Sequence, residues 1–227
     1  MKGQLDETLV TYIRTLGPPT DPVIDEMGEL AHRESFPYVG PEVGATLRLL
    51  AQLVHAKRVF EFGSGFGYSA YWFASALPTD GQLILTEVDE DELNLARDHL
   101  ARGEFPIDVE YELGDAMDAI HRYDGPFDVV LIDFQKERYV DAFEAVKSKV
   151  RPGGLIIADN VMSAGDLVVF DDLVAYASGK DVTMNEATRG IATYLDTVRA
   201  DSAFETIILP LGSGIAVSHR MAEHTGK

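Results

Sequence analysis

Apolar residues recur along this chain in two rhythms. In the first quarter they return at helical spacing over about residues 3–16, 20–34 and 42–55, with Pro18-Pro19 ahead of the second stretch and Pro41 ahead of the third, which predicts three amphipathic helices. From residue 57 onward, short unbroken apolar runs alternate with helical patterns. The runs near 57–62, 82–88, 108–113, 127–132 and 154–159 predict buried strands, and the helical patterns cover 67–77, 89–102, 116–122, 136–149, 165–178 and 186–201. Strands separated by single helices predict a parallel sheet with helices on both faces. The tail breaks the alternation: 204–218 holds two strand patterns joined by Gly212-Ser213-Gly214, with no room for a helix, so it predicts an edge hairpin whose last strand runs antiparallel. The expected architecture is α/β: a doubly wound, mostly parallel sheet of seven strands in one domain over 1–227, with N-terminal helices in 1–56 and the core in 57–220.

The joint between the first strand and its helix reads Arg58-Val-Phe-Glu-Phe-Gly-Ser-Gly-Phe-Gly-Tyr-Ser69. Gly63, Gly65 and Gly67 leave room for a ligand against the backbone, and a helix opening near Phe66 offers free N–H groups. A dinucleotide loop has the spacing G-x-G-x-x-G. Here the order is G-x-G-x-G after the acidic strand residue Glu61, which suits S-adenosylmethionine better than NAD. The second strand ends at Glu87, where α/β nucleotide folds place a ribose-binding carboxylate. Ser69 falls in the first helical turn, either with its hydroxyl on a ligand carboxylate or as a plain polar helix residue.

Open parallel sheets gather ligands at the carboxyl ends of their strands, so Glu61, Glu87, Asp133, Asp159 and Asn160 are expected at one rim. Asp133, Asp159 and the Asn160 amide oxygen are hard donors that suit Mg²⁺, while Asp159-Asn160 equally fits the cap of the helix expected after it. Lys136 lies three residues past Asp133, on a first helical turn where a cation is unfavourable. Beside a metal it suits a general base; otherwise it reads as a solvated surface lysine. Asp115, after the third strand, suits a helix cap, a contact to an adenine ring, or both. Trp72 and Phe73 follow core spacing, the six histidines lack zinc-ligand spacing, and neither a G-x-S-x-G elbow nor a Walker loop occurs.

Composition narrows the setting. With no cysteine, disulfides and thiolate metal sites are excluded. The net charge of −19 is spread through every segment, and twelve arginines stand against seven lysines. A dispersed acidic shell poor in lysine fits a halophilic protein in a salty cytoplasm, the alternative being a merely acidic mesophilic one; either way a nucleic-acid partner is disfavoured. Neither a signal-peptide core nor an apolar run long enough to cross a bilayer occurs, so the expectation is a soluble, cytoplasmic protein.

In order along the chain, Tyr38-Val-Gly40, the Glu61–Ser69 loop, Thr86-Glu-Val-Asp89, Gly114-Asp-Ala116, Phe127-Asp-Val-Val-Leu-Ile-Asp133, Lys136 with Tyr139, and Asp159-Asn160 followed by Gly165 resemble the cation-dependent class I O-methyltransferases, the family of catechol and caffeoyl-CoA O-methyltransferases. The resemblance runs from about residue 39 to 218 and implies a Rossmann-like fold. It implies S-adenosylmethionine bound by Val39, Glu61, Gly63, Ser64, Ser69, Glu87, Ala116 and Asp133, with Glu87 on the ribose and Ser69 at the methionine carboxylate. Asp133, Asp159 and Asn160 would hold Mg²⁺ or another divalent cation, and Lys136 resembles the family's base. The implied reaction is methyl transfer to a small catechol-like or vicinal-hydroxyl acceptor. A hydroxylated tRNA base is the same-family alternative; a non-catalytic cofactor-binding module and an NAD-dependent oxidoreductase stand outside it. The resemblance also implies a homodimer, to which the sequence adds two amphipathic helices, 3–16 and 20–34, outside the sheet fold. Two departures bear on the acceptor pocket: Phe134-Gln135 after Asp133, and a serine between Gly212 and Gly214 where many bacterial relatives carry an acid.

Overall fold

The computed structural model describes residues 7–17, 21–165 and 167–222. Its strands are β1 (Arg58–Phe62), β2 (Gln82–Glu87), β3 (Asp108–Leu113), β4 (Phe127–Ile132), β5 (Val150–Ala158), β6 (Phe204–Leu209) and β7 (Ile215–Arg220). They form one sheet in the order β3-β2-β1-β4-β5-β7-β6, in which β7 runs antiparallel to both neighbours and the pairs from β3 to β5 are parallel. The doubly wound sheet and the antiparallel last strand agree with the hydrophobic pattern.

The helices are α1 (Glu7–Leu16), α2 (Pro22–Glu34), α3 (Gly40–Leu53), α4 (Tyr68–Ala74), α5 (Glu90–Arg102), α6 (Ala116–Ile120), α7 (Tyr139–Val146), α8 (Phe170–Ala177) and α9 (Glu186–Ala200). Helices α2 to α5 cover one face of the sheet, where Val43, Leu47 and Trp72 pack with Val59, Leu85 and Leu131. Helices α6, α7 and α9 cover the other, where Tyr139, Phe143 and Tyr194 pack with Phe62, Val130 and Ile132. The alternation of β1 sends Phe60 and Phe62 to the second face and leaves Val59 and Glu61 for the first.

Several boundaries differ from the pattern for local reasons. Asp21 starts α2 by accepting a hydrogen bond from Val23 N at 2.8 Å, with a proline in the first turn. The helix expected over 136–149 begins as a 3₁₀ turn, Lys136–Arg138, before α7. Strand β5 starts at Val150 instead of about 154, running through Pro152-Gly153 with a register shift against β4. Helix α8 starts at Phe170 instead of 165, because Gly165 turns left-handed and Val169 is extended. Of the N-terminal helices, α2 buries Val23, Ile24, Met27 and Ala31 within the chain, whereas α1 leaves Leu9, Tyr12, Ile13 and Leu16 exposed. Residues 3–6, 20 and 166 of the expected helices lie outside the described residues.

The sheet order reverses direction between β1 and β4, which makes a crevice at the carboxyl ends of those two strands. Phe62 is level with both Thr86 and Ile132, and Ile132 with Ala158. Gly63, Asp133 and Asp159 therefore leave the sheet side by side.

Candidate active site

The glycine loop is anchored before any ligand arrives. Thr86 holds it from β2: its hydroxyl donates to Glu61 O at 2.7 Å and accepts from Gly63 N at 3.3 Å, and its carbonyl accepts from Ser64 N at 2.9 Å. Gly63 has φ +78, and a Cβ there would lie 2.3 Å from the Asp133 carbonyl oxygen. Gly67 caps α4 at φ +87, where a Cβ would come within 2.9 Å of Ala96 Cα. These positions demand glycine for closeness to the protein's own backbone as well as for conformation.

Glu87 leaves β2 with its carboxylate wrapped by backbone. Oε2 accepts from Gly65 N at 2.9 Å, and Oε1 accepts from Val88 N at 2.7 Å and Asp89 N at 3.1 Å. A carboxylate offers about four lone-pair sites. Glu87 thus fastens the glycine loop and keeps open capacity on Oε2 for a ribose hydroxyl.

Glu61 is fully buried on β1 and receives the hydroxyl hydrogen of Ser69 on Oε1. Its other oxygen has no partner. Burial pushes this carboxyl up to about 8, with a further rise from Asp133 and Glu87 and a partial opposing effect from Ser69. Ser69 spends its one hydrogen on Glu61, so a ligand carboxylate would have to compete for it. The unpartnered Glu61 oxygen fits a ligand carrying a donor or positive charge, as S-adenosylmethionine does.

The base-side cluster is tighter than the sequence suggested. Lys136 is only 8% exposed, not a solvated surface lysine. Its Nζ donates to Asp133 Oδ1 and to the Tyr139 hydroxyl, both at 2.8 Å, and Tyr139 in turn donates to the Asp159 carbonyl at 3.0 Å. Burial and the carboxylates Asp133 and Asp159 push the Tyr139 phenol well up, so it stays a neutral hydroxyl.

Asp159 is 2% exposed and its Oδ1 has no partner. Burial, then the charge of Asp133, pushes its carboxyl up from the usual range. Capping does not explain the Asp159-Asn160 pair, since α8 begins only at Phe170. Asn160 adopts φ +57, a left-handed conformation that asparagine tolerates better than most residues. Among the described residues no group of three or more His, Cys, Asp or Glu side chains could hold a metal, so a cation at Asp133 and Asp159 would need a donor of another kind, such as the Asn160 amide expected from the sequence. The set nevertheless fits a divalent cation: Asp159 supplies a buried oxygen without a donor, and Asp133 a second carboxylate; burial makes Asp159 resist ionising unless a positive charge faces it.

The remaining expected residues fall around these two clusters. Ser64 is buried in the loop with its hydroxyl 3.4 Å from the Thr86 carbonyl. Asp115 caps α6 through Met117 N at 2.8 Å, which places the buried Ala116 at the first helical position. Val39 is buried at the start of α3, its carbonyl beside Gly212. The Gly212–Gly214 turn hydrogen-bonds the segment after Asn160, through Val161 N to Gly214 O and Met162 N to Ser213 O, each 3.0 Å. Thr86 was missed as an anchor, although a hydroxyl inside the run Leu83-Ile-Leu-Thr-Glu87 was its signal. Arg138 was missed as well: it grips Asp115, 23 residues away, and nothing in local spacing announces that.

A glycine loop, a carboxylate at the end of β2 and a lysine among acids, all at the switch point of a doubly wound sheet, mark the ligand crevice of a nucleotide-type fold. The O-methyltransferase family model matches residues 20–221. The chain is 35% identical over 175 residues to the catechol O-methyltransferase of Niastella koreensis, across 74% of this chain and 79% of that protein. It is 32% identical over 163 residues to the catechol O-methyltransferase of Mycobacterium tuberculosis, across 70% and 74%. The solved O-methyltransferase of Bacillus cereus, in complex with SAH, superposes with a TM-score of 0.81 at 25% identity over 94% of this chain and 97% of that one. The chain belongs to the O-methyltransferase family and is an S-adenosylmethionine-dependent O-methyltransferase.

Proposed function

We propose that the chain methylates one hydroxyl of a small catechol-like or vicinal-diol acceptor with the help of a divalent cation such as Mg²⁺. The observation that carries this reading is the unpartnered, buried Asp159 oxygen beside a buried lysine, Lys136, which Asp133 holds at the end of β4. When bound, S-adenosylmethionine supplies an electrophilic methyl and the cation lowers the pKa of the acceptor hydroxyl. Asp133, Asp159 and Asn160 hold the cation. Glu87 and the Gly63–Gly67 loop hold the cofactor, with Glu61, Ser64, Ser69, Ala116 and Val39 around it. Lys136, in its uncharged amine form, would take the proton from the acceptor oxygen, and the bound cofactor would supply the methyl group, the products being the methyl ether and S-adenosylhomocysteine. Tyr139 and Asp133 fix the lysine from two sides.

The protein works in the cytoplasm, in high salt, which the net charge of −19 supports, and it pairs with a second copy through α1, whose Leu9, Tyr12, Ile13 and Leu16 are exposed among the described residues. Light scattering in molar KCl checks the pairing against the 24.9 kDa of one chain. The acceptor class is tested by incubating the protein with S-adenosylmethionine, Mg²⁺ and, in separate arms, a catechol, a monophenol and unmodified or hydroxylated tRNA, and weighing the products. Methylation of the catechol alone supports the reading; methylation of the tRNA, or of the monophenol at an equal rate, contradicts it.

A further inference from the structure

The turn that carries Lys136 has little hold of its own. It is three residues of 3₁₀ helix, closed by Arg138 N to Gln135 O at 3.0 Å and by Tyr139 N to Lys136 O. It is clamped from outside on two sides. At its back lies α9, where a Cβ on Gly190 would stand 2.4 Å from the Lys136 carbonyl oxygen and 2.5 Å from Glu137 Cα. At its front Arg138 forks onto Asp115, Nη1 to Oδ2 at 2.9 Å and Nη2 to Oδ1 at 3.1 Å.

Asp115 belongs to the loop on the cofactor side. The preceding residue, Gly114, donates its N–H to the Glu87 carbonyl at 2.8 Å. On the other side the Arg138 guanidinium lies 5.5 Å over the Phe134 ring, and Phe134 stacks on Tyr139 with centroids 6.0 Å apart and planes 12° from parallel. Tyr139 accepts from Lys136 Nζ alongside Asp133. One guanidinium therefore touches the loop beside Glu87 and the aromatic pair that holds the lysine. A forked arginine–carboxylate bond fixes direction as well as distance, unlike a point contact.

We propose that Arg138 is a positioning residue for methyl transfer: its two-point bond to Asp115 ties the Lys136 turn to the loop beside Glu87 and so sets the lysine against the bound cofactor. The inference rests on the reading of Lys136 as the base. The pair is about one-third exposed, so it adds little to global stability, and its consequence falls on geometry. A misplaced base slows the chemical step without weakening binding.

The test uses Arg138→Gln, Asp115→Asn and the double variant, with catechol as acceptor and Mg²⁺ present. Asn keeps an acceptor at the α6 cap while removing the charge. Each single variant should lower kcat about tenfold or more with KM for S-adenosylmethionine and calorimetric affinity for S-adenosylhomocysteine within about twofold of wild type. The double variant should be no slower than the singles, and Arg138→Lys should recover part of the rate. In ligand-free protein, hydrogen exchange over residues 136–139 should quicken in Arg138→Gln while the melting temperature holds. Placed in a Lys136→Ala background, Arg138→Gln should cost nothing further. A wild-type kcat in Arg138→Gln, losses that add in the double variant, or a loss carried by cofactor affinity would overturn the tie. Lys136→Ala at full rate would instead remove the base reading on which it rests, so the two failures are told apart.

Discussion

Replacing Glu61 by glutamine should change how stability depends on pH. In the folded protein this carboxyl sits at about 8, against an ordinary value of 4.5, chiefly because it is buried. An acid with a raised folded pKa binds its proton more tightly in the native state, so stability is intact below about pH 4.5, declines as pH rises towards 8, and is flat above. At about 1.4 kcal/mol per pH unit, full deprotonation costs roughly 5 kcal/mol, an upper bound for a buried group that water can reach on relaxation. Most of that loss falls between about pH 5 and pH 9. Glutamine keeps the shape and leaves Oε1 to accept from Ser69, but it puts an N–H₂ where Oε2 has no partner, at a cost of about 1–3 kcal/mol. The variant should therefore be the less stable protein at about pH 5 and the more stable one at about pH 9 by roughly 2–4 kcal/mol, with the curves crossing near about pH 6. Urea unfolding of both proteins across that range at fixed molar KCl measures the difference directly. Parallel stability curves would show that Glu61 does not hold a proton in the folded protein and would refute the reasoning.

Glu87→Ala should weaken S-adenosylhomocysteine binding about 10–100-fold, the worth of hydrogen bonds to a charged acceptor, by calorimetric titration; unchanged affinity, or tight NAD binding by the wild type, would contradict the cofactor assignment. Gly67→Ala forces a side chain into φ +87 with its Cβ 2.8 Å from Ala96 Cβ, so urea unfolding should show a loss of about 1–3 kcal/mol, and an unaltered midpoint would count against that packing. With a net charge of −19, thermal melting should rise markedly between about 0.1 M and 2 M KCl, whereas a salt-independent melting temperature would leave the halophilic reading without support.

The parts of this fold that read clearly from sequence were those written in consecutive residues. The run Phe127–Asp133 announced a buried strand with an acid at its end, and the alternate glycines after Glu61 announced a loop against backbone. The sheet's parallel winding then put Glu61, Glu87, Asp133 and Asp159 at one rim without further information. What could not be read were contacts between separate elements. Lys136, on a first helical turn, was open to both a base and a solvated lysine, and its packing against α9 and Tyr139, which buries it, is not written in local spacing. The hydroxyl of Ser69 turns to Glu61 across the β1–α4 joint, a partner choice that periodicity does not carry. Strand β5 passed through Pro152-Gly153 because a bulge absorbs residues that would otherwise end a strand. Amphipathicity in α1 gave a helix but not a partner, since a hydrophobic stripe specifies burial and says nothing of what covers it.

The most direct test of the metal-assisted site is the rate of S-adenosylhomocysteine formation on a catechol acceptor in EDTA, then with Mg²⁺ restored, for wild type and Asp159→Ala. Wild-type activity should vanish in EDTA and return with Mg²⁺. Asp159→Ala should stay inactive under both conditions while binding S-adenosylhomocysteine with nearly wild-type affinity, because Asp159 serves the cation and not the cofactor. Full wild-type activity in EDTA, or an active Asp159→Ala, would contradict it.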